Sequence, residues 1–320
     1  MSKIWSMVCL CVVITVKAQF SPSTSHYMLS GSIKYPGLWG AQSAINILAN
    51  TRYQYAGVDG APLQAEVAVS SPIPFAKGQG IGGYFAYDQL GAYKFIMVNA
   101  GYNYAVIKEK FAIGVGASFG IKYSRFDGTK VTTPSGDYTS GYQHNDPYLP
   151  QSISTSVVPS MTLGVGFSNS FVSQQLIYSD LFADNISILK DKSSVNYGKT
   201  LTSLTKFNIA LGSNFYLEPS MQIATNFKQF QHILGATALF KDKVGIGLYT
   251  RGYTKNIFES LIPLVRAKAF KNMTFQYSYD ALVNGLQVAS SGTHELSIIY
   301  SMPKTWQKYF GKAINNPRYL

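Results

Sequence analysis

The most restrictive feature of this sequence is a strict period-two alternation of apolar residues with small or polar ones. Between Phe111 and Tyr123 every odd position is apolar, whereas the even positions carry Ala, Gly, Ser or Lys. The segments around Val165 and Gln276 alternate in the same way. Because successive side chains of a strand point to opposite faces, these segments are predicted to be β-strands with one apolar face. That face points either into the core of a soluble sandwich or toward the lipid around a barrel, and alternation alone does not distinguish the two.

Charge content and apolar run length favour the barrel. The chain has 27 Lys+Arg and 15 Asp+Glu, which is 13% of its 320 residues, against about 25% in ordinary soluble domains. Its apolar content of 46% excludes a disordered chain. Beyond residue 18 no apolar run reaches the roughly 18 residues of a membrane helix, whereas strands of about 9–11 residues are long enough to span. The sequence therefore predicts an all-β protein, a transmembrane antiparallel β-barrel.

The first 18 residues have the pattern of a secretory signal peptide. Lys3 precedes a short apolar stretch, and Ala18 ends a plausible small-residue cleavage site. A lipoprotein signal is the alternative because Cys9 and Cys11 lie in the apolar stretch, but the residues before Cys9 do not resemble a lipobox. Cleavage near Ala18 removes both cysteines, which excludes disulfides, thiol catalysis and cysteine metal sites from the mature chain. The predicted compartment is a Gram-negative outer membrane.

The alternating segments predict about 14 strands. Their centres fall near Ile47, Val67, Gly83, Ala100, Ala117, Val165, Gln174, Ala210, Ile223, Ala236, Gly247, Val265, Gln276 and Ile298. An even number of strands places both termini on one side of the membrane, which we expect to be the periplasm. The predicted organisation is a signal peptide at residues 1–18, a barrel at 19–301 and a basic periplasmic tail at 302–320.

The predicted connections alternate between short and long, as in bacterial outer-membrane barrels. Short periplasmic turns are expected at residues 107–109, 168–170, 218–219, 241–243 and 271–272. Longer outer loops are expected at residues 53–62, 124–157, 179–201, 252–260 and 281–292. Aromatic residues near strand ends suit an interfacial girdle, although ordinary sheet aromatics are the alternative; they are Trp39, Tyr87, Tyr93, Tyr102, Tyr104, Tyr123 and Tyr249.

Two groups of short motifs resemble those of the PorP/SprF family of type IX secretion system outer-membrane proteins. The first comprises Tyr35-Pro36-Gly37-Leu38-Trp39-Gly40, Arg52-Tyr53-Gln54-Tyr55-Ala56-Gly57, Asp59-Gly60-Ala61-Pro62 and Ser71-Pro72. The second comprises Tyr277-Ser278-Tyr279-Asp280 and Ser291-Gly292-Thr293-His294-Glu295-Leu296. Tyr55 stands where the family pattern has a tryptophan. The resemblance spans roughly Gln19 to Ser301.

The resemblance implies a non-enzymatic barrel that helps to export or anchor a large surface protein, such as a gliding adhesin, by binding its C-terminal domain. The implied partners are this client, other secretion-system components, including periplasmic ones, and outer-membrane lipid. The alternative function is an outer-membrane porin or a FadL-like transporter of small or hydrophobic solutes. The sequence has no basic run, so nucleic acid is not an expected partner.

The sequence suggests no catalytic, cofactor-binding or metal site. The four histidines are far apart and lack metal-ligand spacing. By strand parity His294 faces lipid, whereas Glu295 and Asp280 face the lumen near its outer end. Arg52 ends the first strand, which is adjacent to the last strand in a closed barrel. We therefore predict a closure network of Arg52, Asp280 and Glu295, with solvated lumen charges as the alternative.

The C-terminal tail is basic and has an amphipathic pattern. On a helix Trp306, Tyr309 and Phe310 would share one face, and Lys308 and Lys312 would lie on the other. This pattern is typical of an interfacial helix. The tail is therefore predicted to be either a docking arm for a periplasmic partner or a membrane anchor.

Overall fold

The computed structural model describes residues 24–182, 186–189, 193–195, 199–254, 256–283, 285–288 and 290–303. These residues form one helix, three short 3-10 turns and a continuous antiparallel sheet. The helix is α1 (Tyr27–Lys34), and the 3-10 turns are Trp39–Ala41, Gly128–Lys130 and Gly285–Val288. The strands are β1 (Ala44–Tyr53), β2 (Leu63–Pro72), β3 (Gln79–Leu90), β4 (Tyr93–Ile107), β5 (Phe111–Asp127), β6 (Ile153–Asn169), β7 (Val172–Ser179), β8 (Ile186–Leu189), β9 (Ser193–Val195), β10 (Thr200–Phe207), β11 (Ile209–Ala210), β12 (Phe215–Thr225), β13 (Phe230–Phe240), β14 (Val244–Tyr253), β15 (Asn256–Phe270), β16 (Met273–Leu282) and β17 (Thr293–Pro303).

The sheet closes on itself into a barrel of fourteen strands, which confirms the predicted fold class. Each strand pairs with its neighbours in sequence, and β1 pairs with β17 from Ala44 opposite Pro303 to Tyr53 opposite His294. β10 and β11 both pair with β12 and are successive parts of one barrel strand. β8 and β9 form a separate hairpin within the connection that follows β7.

The two ends of the barrel differ in their connections. The turn end, where β1 begins and β17 stops, has the connections 73–78, 108–110, 170–171, 211–214, 241–243 and 271–272. The loop end has the longer connections 54–62, 128–152, 180–199 and 283–292 together with three tight ones. The four longest connections thus all lie at the loop end.

Two of the predicted connections are wrong. Glu218 and Pro219 lie inside β12, whose pairing with β13 is continuous, and the actual turn at residues 211–214 contains Gly212 with a φ of 132°. Proline suggested a break because it lacks an N–H donor, yet the strand accommodates it. The expected loop at residues 252–260 is a tight hairpin, in which Tyr253 pairs with Asn256.

The barrel wall presents an apolar surface outside and polar groups inside. Outward side chains that remain at least two-fifths exposed include Val67, Phe85, Val115, Phe119, Val165, Leu248 and Leu296. Inward positions include buried Asn, Ser, Thr, Gln and charged side chains. This arrangement is typical of a barrel in a bilayer, where lipid covers the outer face. In the described part of the chain, no helix is both long and apolar enough to span a membrane.

Residues 24–41, called the plug below, lie inside the barrel. They include α1, whose Tyr27, Met28, Leu29 and Ile33 are buried against inward side chains of the wall. The expectation that Trp39 and Tyr249 belong to an interfacial girdle is wrong, because both are buried in the lumen, Trp39 on the plug and Tyr249 on β14.

Candidate functional site

The seam between the first and last strands carries a buried cluster of charges in the loop-end half of the lumen. Arg52 and Glu295 are partners in the register of β1 and β17, and Arg52 Nη1 lies 2.8 Å from Glu295 Oε2. Arg52 Nη2 lies 2.8 Å from Asp280 Oδ2 on β16. Arg251 on β14 places Nη2 3.4 Å from the same oxygen. The structure thus brings together the three residues of the expected closure network, and it adds a second guanidinium that the sequence pattern did not indicate.

Ser25 of the plug is inserted into this charge cluster. Its backbone N–H donates to Glu295 Oε2 at 2.8 Å. Its hydroxyl accepts hydrogen bonds from Arg52 Nη1 at 2.9 Å and Arg251 Nη2 at 2.5 Å, and it donates to Asp280 Oδ1 at 3.1 Å. A serine hydroxyl has one donor and two acceptor positions, and all three are used here. The charge cluster is therefore a binding site for the start of the plug as well as a link across the seam.

His26 follows Ser25 and is also held by the seam strands. Its Nδ1 lies 2.6 Å from the hydroxyl of Ser297, and its Nε2 lies 2.9 Å from the hydroxyl of Ser278. Glu295 Oε1 is 3.6 Å from Nδ1. A serine, a histidine and a carboxylate in this order resemble a hydrolytic triad, but all three are at most 1% exposed. No substrate carbonyl can reach Ser278 in this arrangement. The contacts of His26 instead hold the plug against β16 and β17.

Helix α1 crosses the lumen from one wall to the other. At its first residue the Tyr27 hydroxyl donates to Ser220 on β12 at 3.1 Å. At its last residue Lys34 Nζ lies 2.5 Å from Glu66 Oε2 on β2 and 5.2 Å from the ring centre of Tyr84 on β3. A helix of 8 residues is too short to be stable alone in water. Its packing against both walls therefore stabilises it.

The second half of the plug packs on the glycine-rich inner faces of β3, β5 and β6. Gly40 N–H donates to Asn103 Oδ1 at 2.8 Å, and Asn103 Nδ2 donates to the Pro36 carbonyl at 2.6 Å. A Cβ on Gly164 would lie 2.9 Å from Gly37 N and 3.3 Å from Pro36 Cγ. The small residues that alternate along these strands therefore let the plug backbone approach the wall.

The longest described loop, residues 128–152, is held together by its own polar contacts. Asp137 and Gln143 form a two-way backbone bridge. Asp137 also accepts hydrogen bonds from the hydroxyl and backbone N–H of Thr139, which lower the pKa of its carboxyl. Tyr142 and Tyr148 remain exposed, at 49% and 61%. The loop thus presents two aromatic side chains from an internally bonded frame.

The other predicted site residues are placed as follows. His294 is exposed on the outer face of β17, 2.8 Å from the Tyr277 hydroxyl. The tail residues Trp306, Lys308, Tyr309, Phe310 and Lys312, and the signal peptide, lie outside the described residues. Among the residues that the structure describes, no group of three or more His, Cys, Asp or Glu side chains could hold a metal ion.

Several solved membrane barrels are similar to this chain. The CymD monoaromatic hydrocarbon channel is 9% identical, with 86% of this chain and 94% of that chain covered and a TM-score of 0.48. The Ralstonia pickettii toluene transporter TbuX is 10% identical, with coverage of 88% and 94% and a TM-score of 0.46. BamA from Haemophilus ducreyi, lacking POTRA domains 1–3, is 8% identical, with coverage of 82% and 71% and a TM-score of 0.40.

At the level of sequence, a comparison with curated proteins found no match. A family model does match, over residues 16–300, and its description is "Type IX secretion system membrane protein PorP/SprF". The matched region contains every described barrel strand except the last residues of β17.

Proposed function

Because this chain belongs to the PorP/SprF family of type IX secretion system membrane proteins, we propose that it is a non-enzymatic outer-membrane barrel that captures a large secreted surface protein. In this proposal it binds the C-terminal domain of the client, for example a gliding adhesin, and helps to export or anchor it with other components of the system. The observation that carries the proposal is that a plug crosses the lumen while the long loops gather at one end.

The plug supports a partner-binding role over free diffusion through the barrel. It is fixed to β12 through Tyr27, to β2 through Lys34 and to β4 through Gly40. In the strand order β12 lies across the lumen from β2 and β4. An open diffusion pore needs a continuous water-filled path, and residues 24–41 occupy that path.

The orientation in the proposal follows from the two ends of the barrel. Outer-membrane barrels have short periplasmic turns and longer extracellular loops. The loop end is then extracellular, the turn end and the C-terminal tail are periplasmic, and the signal peptide is removed near Ala18. Periplasmic components of the secretion system would meet the turn end and the tail.

Loop 128–152 is the proposed client-binding surface. Tyrosine is a frequent anchor in protein interfaces, because it buries a large area with few rotatable bonds. Tyr142 and Tyr148 are exposed, and the bridge between Asp137 and Gln143 limits the conformational entropy lost on binding. The second loop, residues 180–199, would contribute beside it.

The test is co-purification of the surface client from mild detergent. The variant Tyr142→Ala/Tyr148→Ala should keep the folded barrel and lose at least about tenfold in client recovery, since interface hot spots contribute 2 kcal/mol or more. The matched control is Phe75→Ala, because Phe75 is 85% exposed but lies at the turn end. Undiminished recovery after deletion of residues 131–149, which removes both tyrosines, would reject this loop as the binding surface.

Conductance distinguishes this function from the alternative of a porin or FadL-like transporter. In planar bilayers the full chain should not conduct ions steadily, because the plug crosses the lumen. Deletion of residues 24–41 should produce stable channels if the barrel still closes. Steady conductance by the full chain would instead favour the porin.

A further inference from the structure

A cavity of about 90 Å³ lies in the lumen between the plug and the loop end. Its floor includes Tyr27, Lys34 and Tyr35 of the plug. Its walls are the loop-end residues of β2, β3, β7, β10, β12 and β13. Thr24 and Asn50 also line it, and both donate to Glu295 Oε1, so the cavity adjoins the charge cluster at the seam.

Acceptor oxygens without a hydrogen-bond partner among the described residues line this cavity. They are Asp88 Oδ1 on β3, Thr200 Oγ1 on β10, Gln231 Oε1 on β13 and Glu66 Oε1 on β2. Asp88, Thr200 and Gln231 are each more than nine-tenths buried. A buried acceptor that lacks a donor destabilises the folded state, and a charged acceptor does so more strongly. The cavity therefore presents acceptors that a donor-rich ligand would satisfy.

The charges around the cavity do not balance. Glu66 pairs with Lys34 at 2.5 Å, and Asp180 pairs with Lys122 at 2.7 Å. Asp88 has no cationic partner within ion-pair distance in the described part of the chain, and its register neighbour on β2 is the neutral Gln64. Burying a carboxylate without a counter-charge is costly. The unbalanced charge of the cavity is therefore negative.

The lining also includes tyrosine rings. They belong to Tyr27, Tyr35 and Tyr84. Aromatic faces attract cations within about 6 Å of the ring centre, and Lys34 already lies 5.2 Å from the Tyr84 ring centre. Tyrosine faces, acceptor oxygens and one unpaired carboxylate are together suited to an organic cation.

We propose that this cavity binds a guanidinium or protonated amine, with Asp88 as its counter-ion and Thr200 and Gln231 as hydrogen-bond acceptors. The cation comes either from a free small molecule or from a basic side chain of a polypeptide that enters from the loop end. The inference does not rest on client capture, since Asp88, Thr200 and Gln231 lie on barrel strands and not in loop 128–152.

The test is calorimetric titration of the purified full chain in detergent. The first probe is arginine amide, and its control is citrulline amide, which has the same shape with a neutral urea in place of the guanidinium. Arginine amide should bind, and citrulline amide should bind at least about tenfold more weakly, because hydrogen bonds to charged groups are worth about 1.5–3 kcal/mol. Equal binding of the two probes, or no binding of arginine amide and of the peptide described below, would overturn the proposal.

Two variants locate the site. Asp88→Asn keeps the size of the side chain and should weaken arginine amide at least about tenfold, whereas Glu109→Gln, on an exposed turn at the opposite end, should not change it. If Asp88→Asn does not give a folded barrel on unboiled gels, Gln231→Leu replaces it, with a several-fold loss expected. If the folded variant, Asp88→Asn or Gln231→Leu, binds arginine amide with unchanged affinity, the assignment of the site to this cavity is wrong.

A third titration identifies the source of the cation. The probe is an acetylated pentapeptide amide with one central arginine flanked by glycines. Tighter binding of the peptide than of arginine amide supports a polypeptide side chain as the ligand, and weaker binding supports a free small molecule. These titrations use no client protein, so their results can be interpreted even if the client-capture experiment fails.

Discussion

At the scale of the residue, the charge cluster at the seam was predictable from the sequence only in part. Strand parity is enough to place Asp280 and Glu295 on the lumen face, and barrel closure brings Arg52 beside them. Sequence reasoning could not supply Arg251 or Ser25. Ser25 reaches the cluster only because the plug folds back into the lumen. The residues around Ser25 have no pattern that would predict this tertiary contact.

The first residue-scale prediction is that Arg52 and Glu295 are energetically coupled. Arg52→Ala should lower the free energy of unfolding by about 3–5 kcal/mol, because it leaves Glu295 without its guanidinium partner. Glu295→Ala should lower it by about 1–3 kcal/mol, because Arg52 loses one acceptor but keeps its ion pair with Asp280. The double variant should lose less than the sum by at least about 1 kcal/mol. The measurement is unfolding in urea, in a double-mutant cycle.

The control for this cycle is Lys243→Ala, a change at an exposed turn, which should shift stability by less than about 0.5 kcal/mol. Strict additivity of the two seam variants would show that the closure network contributes nothing beyond separate solvated charges.

The second residue-scale prediction concerns Gly164 on β6. Gly164→Val should destabilise the protein by about 1–3 kcal/mol through overpacking, because the atoms nearest to a Cβ there belong to Gly37 and Pro36 of the plug. Gly285→Ala, where a Cβ meets nothing within 4 Å, is the control. If the valine variant unfolds at the same urea concentration as the wild type, the plug does not depend on this close approach.

At the scale of the element, alternation identified the barrel strands but not the plug. Side chains of a strand alternate between the lipid face and the lumen face of the barrel wall, so the residue types alternate along the sequence. Helix α1 is 8 residues long, and it is packed on several sides, so it shows no clear amphipathic period. The connections predicted at residues 218–219 and 252–260 were wrong for another reason. There, pairing with neighbouring strands outweighs the local preference of proline and polar residues for loops.

The element-scale prediction concerns the tail. Removal of residues 304–320 should leave a folded barrel, because β17 completes its pairing with β1 by Pro303. A docking arm predicts loss of periplasmic partners with retention of the client, and it should be sensitive to Lys308→Ala/Lys312→Ala. An anchor predicts a small loss of stability, and it should be sensitive to Trp306→Ala/Phe310→Ala instead. Partner pull-down and unfolding measurements separate the two, and failure to assemble would reject both.

At the scale of the whole molecule, closure of the sheet determines how the protein should behave in detergent. The pairing of β1 with β17 leaves no free edge in the barrel. Backbone groups paired within a closed barrel resist competition from detergent and water. A chain with so few charges can therefore be stable in a membrane without an apolar helix.

The whole-molecule prediction is heat-modifiable migration. Unboiled protein should resist sodium dodecyl sulfate and migrate differently from boiled protein, and its circular dichroism should be that of a β-sheet. Identical migration before and after boiling, together with a helical spectrum, would contradict the barrel. The Asp88→Asn variant should pass the same test.

The seam also determines the order in which the molecule can fold. The contacts of Arg52 with Asp280 and Glu295 join residues 228 and 243 positions apart. Such distant contacts carry a large loop-closure entropy and form late. Ser25, near the start of the described chain, binds only to a seam built from both ends of the barrel. Ser25 is synthesised before Asp280 and Glu295 but can bind only after they are in place, so we expect insertion of the plug to coincide with the final step of barrel maturation.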